Sequence, residues 1–397
     1  MKRINNTVMK RFIGVLIFAF LVGTIFAEDF NRGRIKQLSY FEKIPYQKIS
    51  GLPIVSVIIN GKMYNFLFDT GAMLAISDRL YKELNLPLIG QTGINSASGE
   101  TKAMRVITLP ELHLQGITFE NTKGIVLHEG FKWGECYGID GIIGSNMLRN
   151  SVVHFDEQNK HIIITNNARK LSLREQKYQK IKFRDKQSTP YIIIASKTFG
   201  EIVIFDSVAT KFFNLSVTYG VFDNKAIDIL AESEGIFTAD VHGMSPKQKH
   251  RLLNISELVV GTFSFNNVIA TTTHAPNSRI GAKLLEYGTV TLNYKRKRFY
   301  FNPFDNVNTD DLSKKPMTFN FTVQNDKSVV GIIWDKALET EINVGDEVVS
   351  INGIDIQTWD FCQLYLLENI PDIEEPYVEL RDINTGEIKK VELKRLQ

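Results

Sequence analysis

Cysteine, tryptophan and proline are scarce in this 397-residue chain, at two, three and eleven residues. With only Cys136 and Cys362, a disulfide framework is excluded, while one bridge between distant segments stays open. The seven histidines are scattered, so no ligand spacing marks a metal centre, and neither a metal nor a cofactor is expected. His113, His154 and His161 are expected on strand surfaces. Charge of one sign is missing too: 47 Lys and Arg face 44 Asp and Glu. That balance leaves no electrostatic footprint for nucleic acid. The one dense basic run, Lys295-Arg296-Lys297-Arg298, lies between apolar stretches ending at Leu292 and starting at Phe299. It is expected as a solvated hairpin turn.

Long apolar runs are absent except at the start. Lys2, Arg3, Lys10 and Arg11 precede the stretch Phe12 to Phe26, which reaches Ala27 before Glu28-Asp29. A basic segment, an apolar segment and a small residue form an export signal. The run is shorter than the roughly 20 residues a bilayer span needs. A retained membrane anchor is the alternative, and no cysteine follows to accept a lipid. Removing residues 1–27 would leave 43 basic against 44 acidic residues. The expected location is therefore outside the cytoplasm: periplasmic, on the cell surface or secreted.

What is present is apolar sequence in short β-type segments, 43% hydrophobic and 23% charged overall. Those proportions suit a globular chain with two or three cores. Ile54 to Ile59 turns at Asn60-Gly61, a tight-hairpin dipeptide, and returns along Tyr64 to Phe68 into Asp69. Tyr191 to Ile194 turns through Ser196 to Gly200 and returns along Glu201 to Phe205 into Asp206. The parallel continues. Leu112 to Asn121 resembles Leu258 to Asn267, Gly144 has a counterpart in Gly281, and the hairpin Val152 to Ile164 matches Thr289 to Phe301. Asp69 to Asp206 and Gly144 to Gly281 are both 137 residues apart, whereas Glu111 to Glu257 is 146. The second copy thus gains nine residues after its aspartate, around Gly235 to His250, and loses nine before its glycine. Such a return to register indicates internal duplication.

Six segments follow: an export signal at 1–27, a lobe at 28–165, a linker at 166–180, a second lobe at 181–303, a linker at 304–316 and a small module at 317–397. The module carries Ser328 to Ile333, then Val344 to Gly353, a helix-like stretch Trp359 to Glu368, and two strands joined at Asn384-Thr385-Gly386.

Two carboxyls brought within a few ångströms share one proton and titrate as a pair. One can deprotonate a water while the other protonates a carbonyl oxygen, which suits amide hydrolysis without a covalent intermediate. Thr70 and Ser207 are placed to lock the base of such a pair, and Gly71 lets backbone approach a carboxylate. The second copy has Val208 where the first has Gly71.

Residues 45–165, with LFDTGA at 67–72 and DGIIGSNML at 140–148, resemble a lobe of the retropepsin-like and pepsin-like aspartic proteases. The resemblance implies a mostly β chain with two acid-protease-type β-barrel lobes. It also implies that Asp69 and Asp206 are catalytic and that Ile142, Ile143 and Gly144 form the apolar-apolar-Gly element beneath the first. A flap hairpin is implied as well, with its tip at Ser98 and Gly99 in the turn Ser96 to Glu100. No tyrosine marks that turn, which favours the simpler bacterial, retropepsin-like branch or a departure in substrate handling. Residues 345–356, GDEVVSINGIDI, resemble the core of a PDZ domain of the kind attached to bacterial exported proteases. That implies a small α+β fold and capture of a peptide or protein C-terminus by strand addition at Val330, Gly331 and Ile332.

The expected function is that of an exported aspartic endopeptidase acting on polypeptides. The site is built either from both lobes of a monomer or from Asp69 of each chain in a homodimer. The alternative is a non-catalytic peptide receptor on a degenerate protease fold.

Overall fold

The computed structural model describes residues 28–128, 131–222, 225–236, 239–366 and 376–397. The expected export signal and the end of the expected helix beyond Leu366 lie outside them. Among the described residues, no helix is long and apolar enough to cross a membrane. The chain is mostly β, in several sheets.

A nine-stranded sheet occupies the first third. Within it, Leu52–Ile59 and Lys62–Asp69 form the hairpin expected around Asn60-Gly61, pairing Ile54 with Leu67 and Ile59 with Lys62. Alternation along the first of these strands buries Val55, Val57 and Ile59 while Ser56 and Ile58 face out. A seven-stranded sheet follows, containing the hairpin Tyr191–Ala195 with Gly200–Asp206. A six-stranded sheet joins the two regions, because Val152–Asp156 pairs antiparallel with Gly288–Asn293, the strand expected to match it in the second lobe. The basic run lies in the turn between Gly288–Asn293 and Arg298–Pro303, as a hairpin requires.

One apolar core runs through both regions, from Tyr40 to Leu312. Beneath the paired motif loops, Phe155 meets Phe68 at 5.7 Å and Phe205 at 5.9 Å between ring centroids. The residue before each aspartate thus rests on the same ring, and such edge-to-face pairs fix position as well as burying area.

In each of the two larger sheets the strand pairings return on themselves: Thr101–Leu114 pairs with both Leu52–Ile59 and Ile117–Val126, and Gln248–Val260 pairs with both Phe263–Thr273 and Tyr191–Ala195. The segments read as surface linkers are each tied to the body at a buried leucine: Leu173 is buried with Val152 and Tyr300, and Leu312 joins the main core.

Residues 317–366 and 376–397 carry a separate sheet with its own core, including Phe319, Val330, Ile351, Leu364 and Leu380. Its short helix Phe361–Tyr365 starts at a reciprocal Asp360–Gln363 capping box. Asp346 is fully buried and accepts backbone N–H groups from Asn343 at 2.8 Å and Ile383 at 2.9 Å. It holds two loops together within the module. Cys136, at the end of helix Lys132–Cys136 in the first lobe, is disulfide-bonded to Cys362.

Candidate active site

Each motif aspartate ends a strand that is wedged beside a short parallel partner. Lys62–Asp69 runs parallel to Gly141–Gly144, with Phe68 opposite Ile143 and Asp69 opposite Gly144. Gly200–Asp206 runs parallel to Arg279–Gly281, with Phe205 opposite Ile280 and Asp206 opposite Gly281. The registers are the same. Beyond each aspartate the chain turns sharply and points N–H groups back at its carboxylate. Gly71 N–H donates to Asp69 Oδ1 at 2.7 Å, while Val208 and Ala209 N–H donate to Asp206 Oδ1 at 3.0 and 3.1 Å.

The two loops are bonded across by the hydroxyl residues. Thr70 N–H donates to Ser207 Oγ and Ser207 N–H to Thr70 Oγ1, both at 3.0 Å. Thr70 Oγ1 donates to Phe205 O at 2.7 Å, and Ser207 Oγ donates to Phe68 O at 2.6 Å. Both side chains are fully buried, so losing either hydroxyl strands partners without water. Ser145 adds a brace on one side, donating through Oγ to Thr70 O at 2.5 Å.

This lock sets the second carboxylate against the first loop. A Cβ added to Gly71 would lie 2.9 Å from Asp206 Cγ and 3.0 Å from its Oδ2. Only glycine leaves that room. The corresponding position of the other loop is filled by Val208, which packs half-buried against an apolar cluster containing Leu67, Met73 and Trp133. Its N–H still bonds Asp206, so the valine leaves the turn intact.

Electrostatically the two halves differ. Burial first, and then the charge of Asp206, push the Asp69 carboxyl above the usual carboxylate range. The Gly71 N–H, the Arg279 charge and the Ala72 N–H pull it back only in part. Arg279 lies beside the second carboxylate, with Nη1 3.4 Å from Asp206 Oδ2. In the sequence, Arg279-Ile280-Gly281 keeps only part of the apolar-apolar-Gly element, and nothing there gives the arginine a role beside Asp206. It stands 137 residues after Ile142, and a charged residue in an apolar slot of the repeat was the available signal.

The expected flap is the hairpin of Gly90–Asn95 with Thr101–Leu114, and its turn closes through Gly99 N–H to Ser96 O at 3.2 Å. Its tip is not open to solvent, for Ser96 and Ser98 are 4% and 2% exposed. Ser98 N–H donates to Asp240 Oδ2 at 2.8 Å, and Gln248 Nε2 and Thr273 Oγ1 reach Ser98 O and Ala97 O. Gly99, at φ +83°, leaves no space for a Cβ, which would sit 2.4 Å from His274 O. Asp240 belongs to a small hairpin, Ala239–Asp240 with Gly243–Met244, inside the extra segment of the second copy.

Val330, Gly331 and Ile332 are buried, Val330 in the module's own core and the other two against the second lobe. Ile236 N–H donates to Gly331 O at 2.8 Å, and Ile332 and Trp334 pack with Leu252. The chain's own Gly235-Ile236 therefore occupies the edge expected to take a peptide.

The aspartyl protease family profile matches residues 55–147, the part that carries Asp69, the flap hairpin and Gly144. No curated protein matches the sequence. The family match supports a peptidase.

Proposed function

We propose that this chain is an exported aspartic endopeptidase whose single site is built from Asp69 and Asp206 of one molecule. The observation that carries the reading is the reciprocal Thr70–Ser207 bonding, which lays the Asp206 carboxylate over Gly71. On this reading the two lobes are repeats of one unit, and the pair holds one proton. Asp69, pushed upward by burial and by Asp206, keeps that proton and donates it to the scissile carbonyl oxygen. Asp206, steadied by Val208 and Ala209 N–H groups, takes a proton from the attacking water. The tetrahedral intermediate collapses when the proton held by Asp206 passes to the leaving amine and a hydroxyl proton of the intermediate returns to Asp69.

Export is supported by the N-terminal basic and apolar pattern and by the Cys136–Cys362 bond, since such bonds persist in oxidising compartments. The C-terminal module is read as PDZ-like from residues 345–356. Any peptide it captures would use an edge other than the covered Val330–Ile332. The strand Phe319–Gln324 is the outer one of its sheet.

The receptor reading draws on one observation, the Arg279 guanidinium beside Asp206. The test is cleavage of a peptide library from acid to neutral pH, with and without a statine-type transition-state mimic. Acid-favoured cleavage blocked by the mimic is expected. A folded protein that cleaves nothing across that range would leave the receptor reading standing.

A further inference from the structure

The extra segment of the second copy lies in the middle of a connected set of contacts. The carboxylate of Asp240, 7% exposed, accepts Ser98 N–H at the flap tip through Oδ2 and His242 N–H through Oδ1, both at 2.8 Å. On its other side, the backbone oxygen of Asp240 accepts Trp133 Nε1–H at 2.8 Å. A second strut ties the same hairpin to the flap strand, with His242 Nε2 3.0 Å from Ile94 O.

Trp133 sits on the helix Lys132–Cys136, whose last residue is bonded to Cys362 of the C-terminal module. Its ring stacks on Tyr365 of the module helix at 6.4 Å between centroids. Lys132 adds an ion pair to Asp326 of the module at 3.9 Å. The apolar surface shared by these parts includes Ala72 and Val208, each close behind a motif aspartate, together with Phe361 and Tyr365.

We infer that the hairpin Ala239–Met244 is the seat of the flap, that Asp240 and Trp133 are positioning residues, and that the disulfide-bonded module holds that seat in place. A buried carboxylate facing a single backbone N–H of a loop tip is a strong and directional anchor. A hairpin of two short strands has little stability of its own, so its position is set by what grips it from behind. Trp133 supplies that grip, and the helix carrying Trp133 is pinned by the Cys136–Cys362 bond. The C-terminal module thus acts on the flap mechanically, through the seat that holds its tip. Naming this turn a flap rests on the peptidase reading above, whereas the contacts themselves do not.

The test measures amide hydrogen exchange of residues 96–100 in the full chain. Asp240→Ala should speed exchange there by about 10-fold or more, the effect of losing one charge-assisted bond on a local opening. Asp240→Asn, which keeps one acceptor oxygen, should recover part of the protection. Trp133→Phe and the paired Cys136→Ser/Cys362→Ser variant should each give a smaller acceleration in the same segment. Asp69→Asn should leave this exchange unchanged, which separates the result from any failure of the peptidase reading. In active enzyme, Asp240→Ala should raise KM with kcat held within a few fold. Unchanged exchange at 96–100 in folded Asp240→Ala protein would overturn the proposal. So would acceleration spread evenly over the chain in Asp240→Asn or Trp133→Phe.

Discussion

The loops at Asp69 and Asp206 share a backbone and differ in their surroundings. Both aspartates end a strand in the same parallel register, and both hydroxyl residues reach across with the same bonds. Around this common frame, Gly71 and Ile142 on one side are replaced by Val208 and Arg279 on the other. Asp69 is half-buried, while Asp206 is 7% exposed and has a guanidinium at hydrogen-bonding range. Two like carboxyls in like settings would share a proton with no preference. Unequal settings assign it. On the proposed reading, the shared register supplies the geometry and the departures from it supply the division of labour.

The comparison is broken most severely by removing either carboxyl. Asp69→Asn and Asp206→Asn should each lower kcat/KM by on the order of 10³-fold, the scale of losing a general acid or base. Steady-state kinetics on a peptide substrate checks this, and activity surviving without Asp206 would point to a site shared between two chains. Stability should move the other way for Asp69. Its raised carboxyl binds a proton more tightly in the folded state than in the unfolded chain. That contribution is complete below the ordinary carboxylate range and fades as pH rises through the raised value. Asp69→Asn should therefore raise Tm at mildly alkaline pH and give no gain in strong acid.

Next in size is the lock. Thr70→Val removes a donor to Phe205 O and an acceptor for Ser207 N–H, and should cost about 1–3 kcal/mol in denaturant unfolding. Ser207→Ala should cost a similar amount, and the double variant less than the sum, because the bonds are shared.

Arg279→Ile, which restores the residue type of the first copy, sharpens the electrostatic side. The arginine charge pulls the Asp69 carboxyl down. Its loss should move the alkaline limb of the kcat/KM–pH profile to higher pH, and a limb that stays or moves down would contradict the assignment of the proton. Val208→Gly should do least, changing kcat/KM by only a few fold, because the valine packs away from the turn that holds Asp206.

Much of the frame was legible because it is local. The alternation at 54–68 predicts the hairpin, and the common offset of 137 predicts which glycine lies beside which aspartate. The extra nine residues were visible as a number, but their role was not. The Ser98–Asp240 bond spans 142 residues, and no local pattern encodes such a meeting. Val208 stands out against Gly71, but a sequence does not say that its side chain has an apolar cluster to enter. Val330 to Ile332 read as a free edge for the same reason: the strand pattern is right, and its cover comes from Gly235-Ile236, far away in sequence. With two cysteines only one bridge is possible, yet whether Cys136 and Cys362 meet depends on how the module docks.

The central claim is one site per chain, made by two aspartates of the same molecule. Calorimetric titration of the purified protein with a statine-type peptide tests it directly. One inhibitor bound per chain is the predicted result. One per two chains, or no binding by a folded protein, would contradict it.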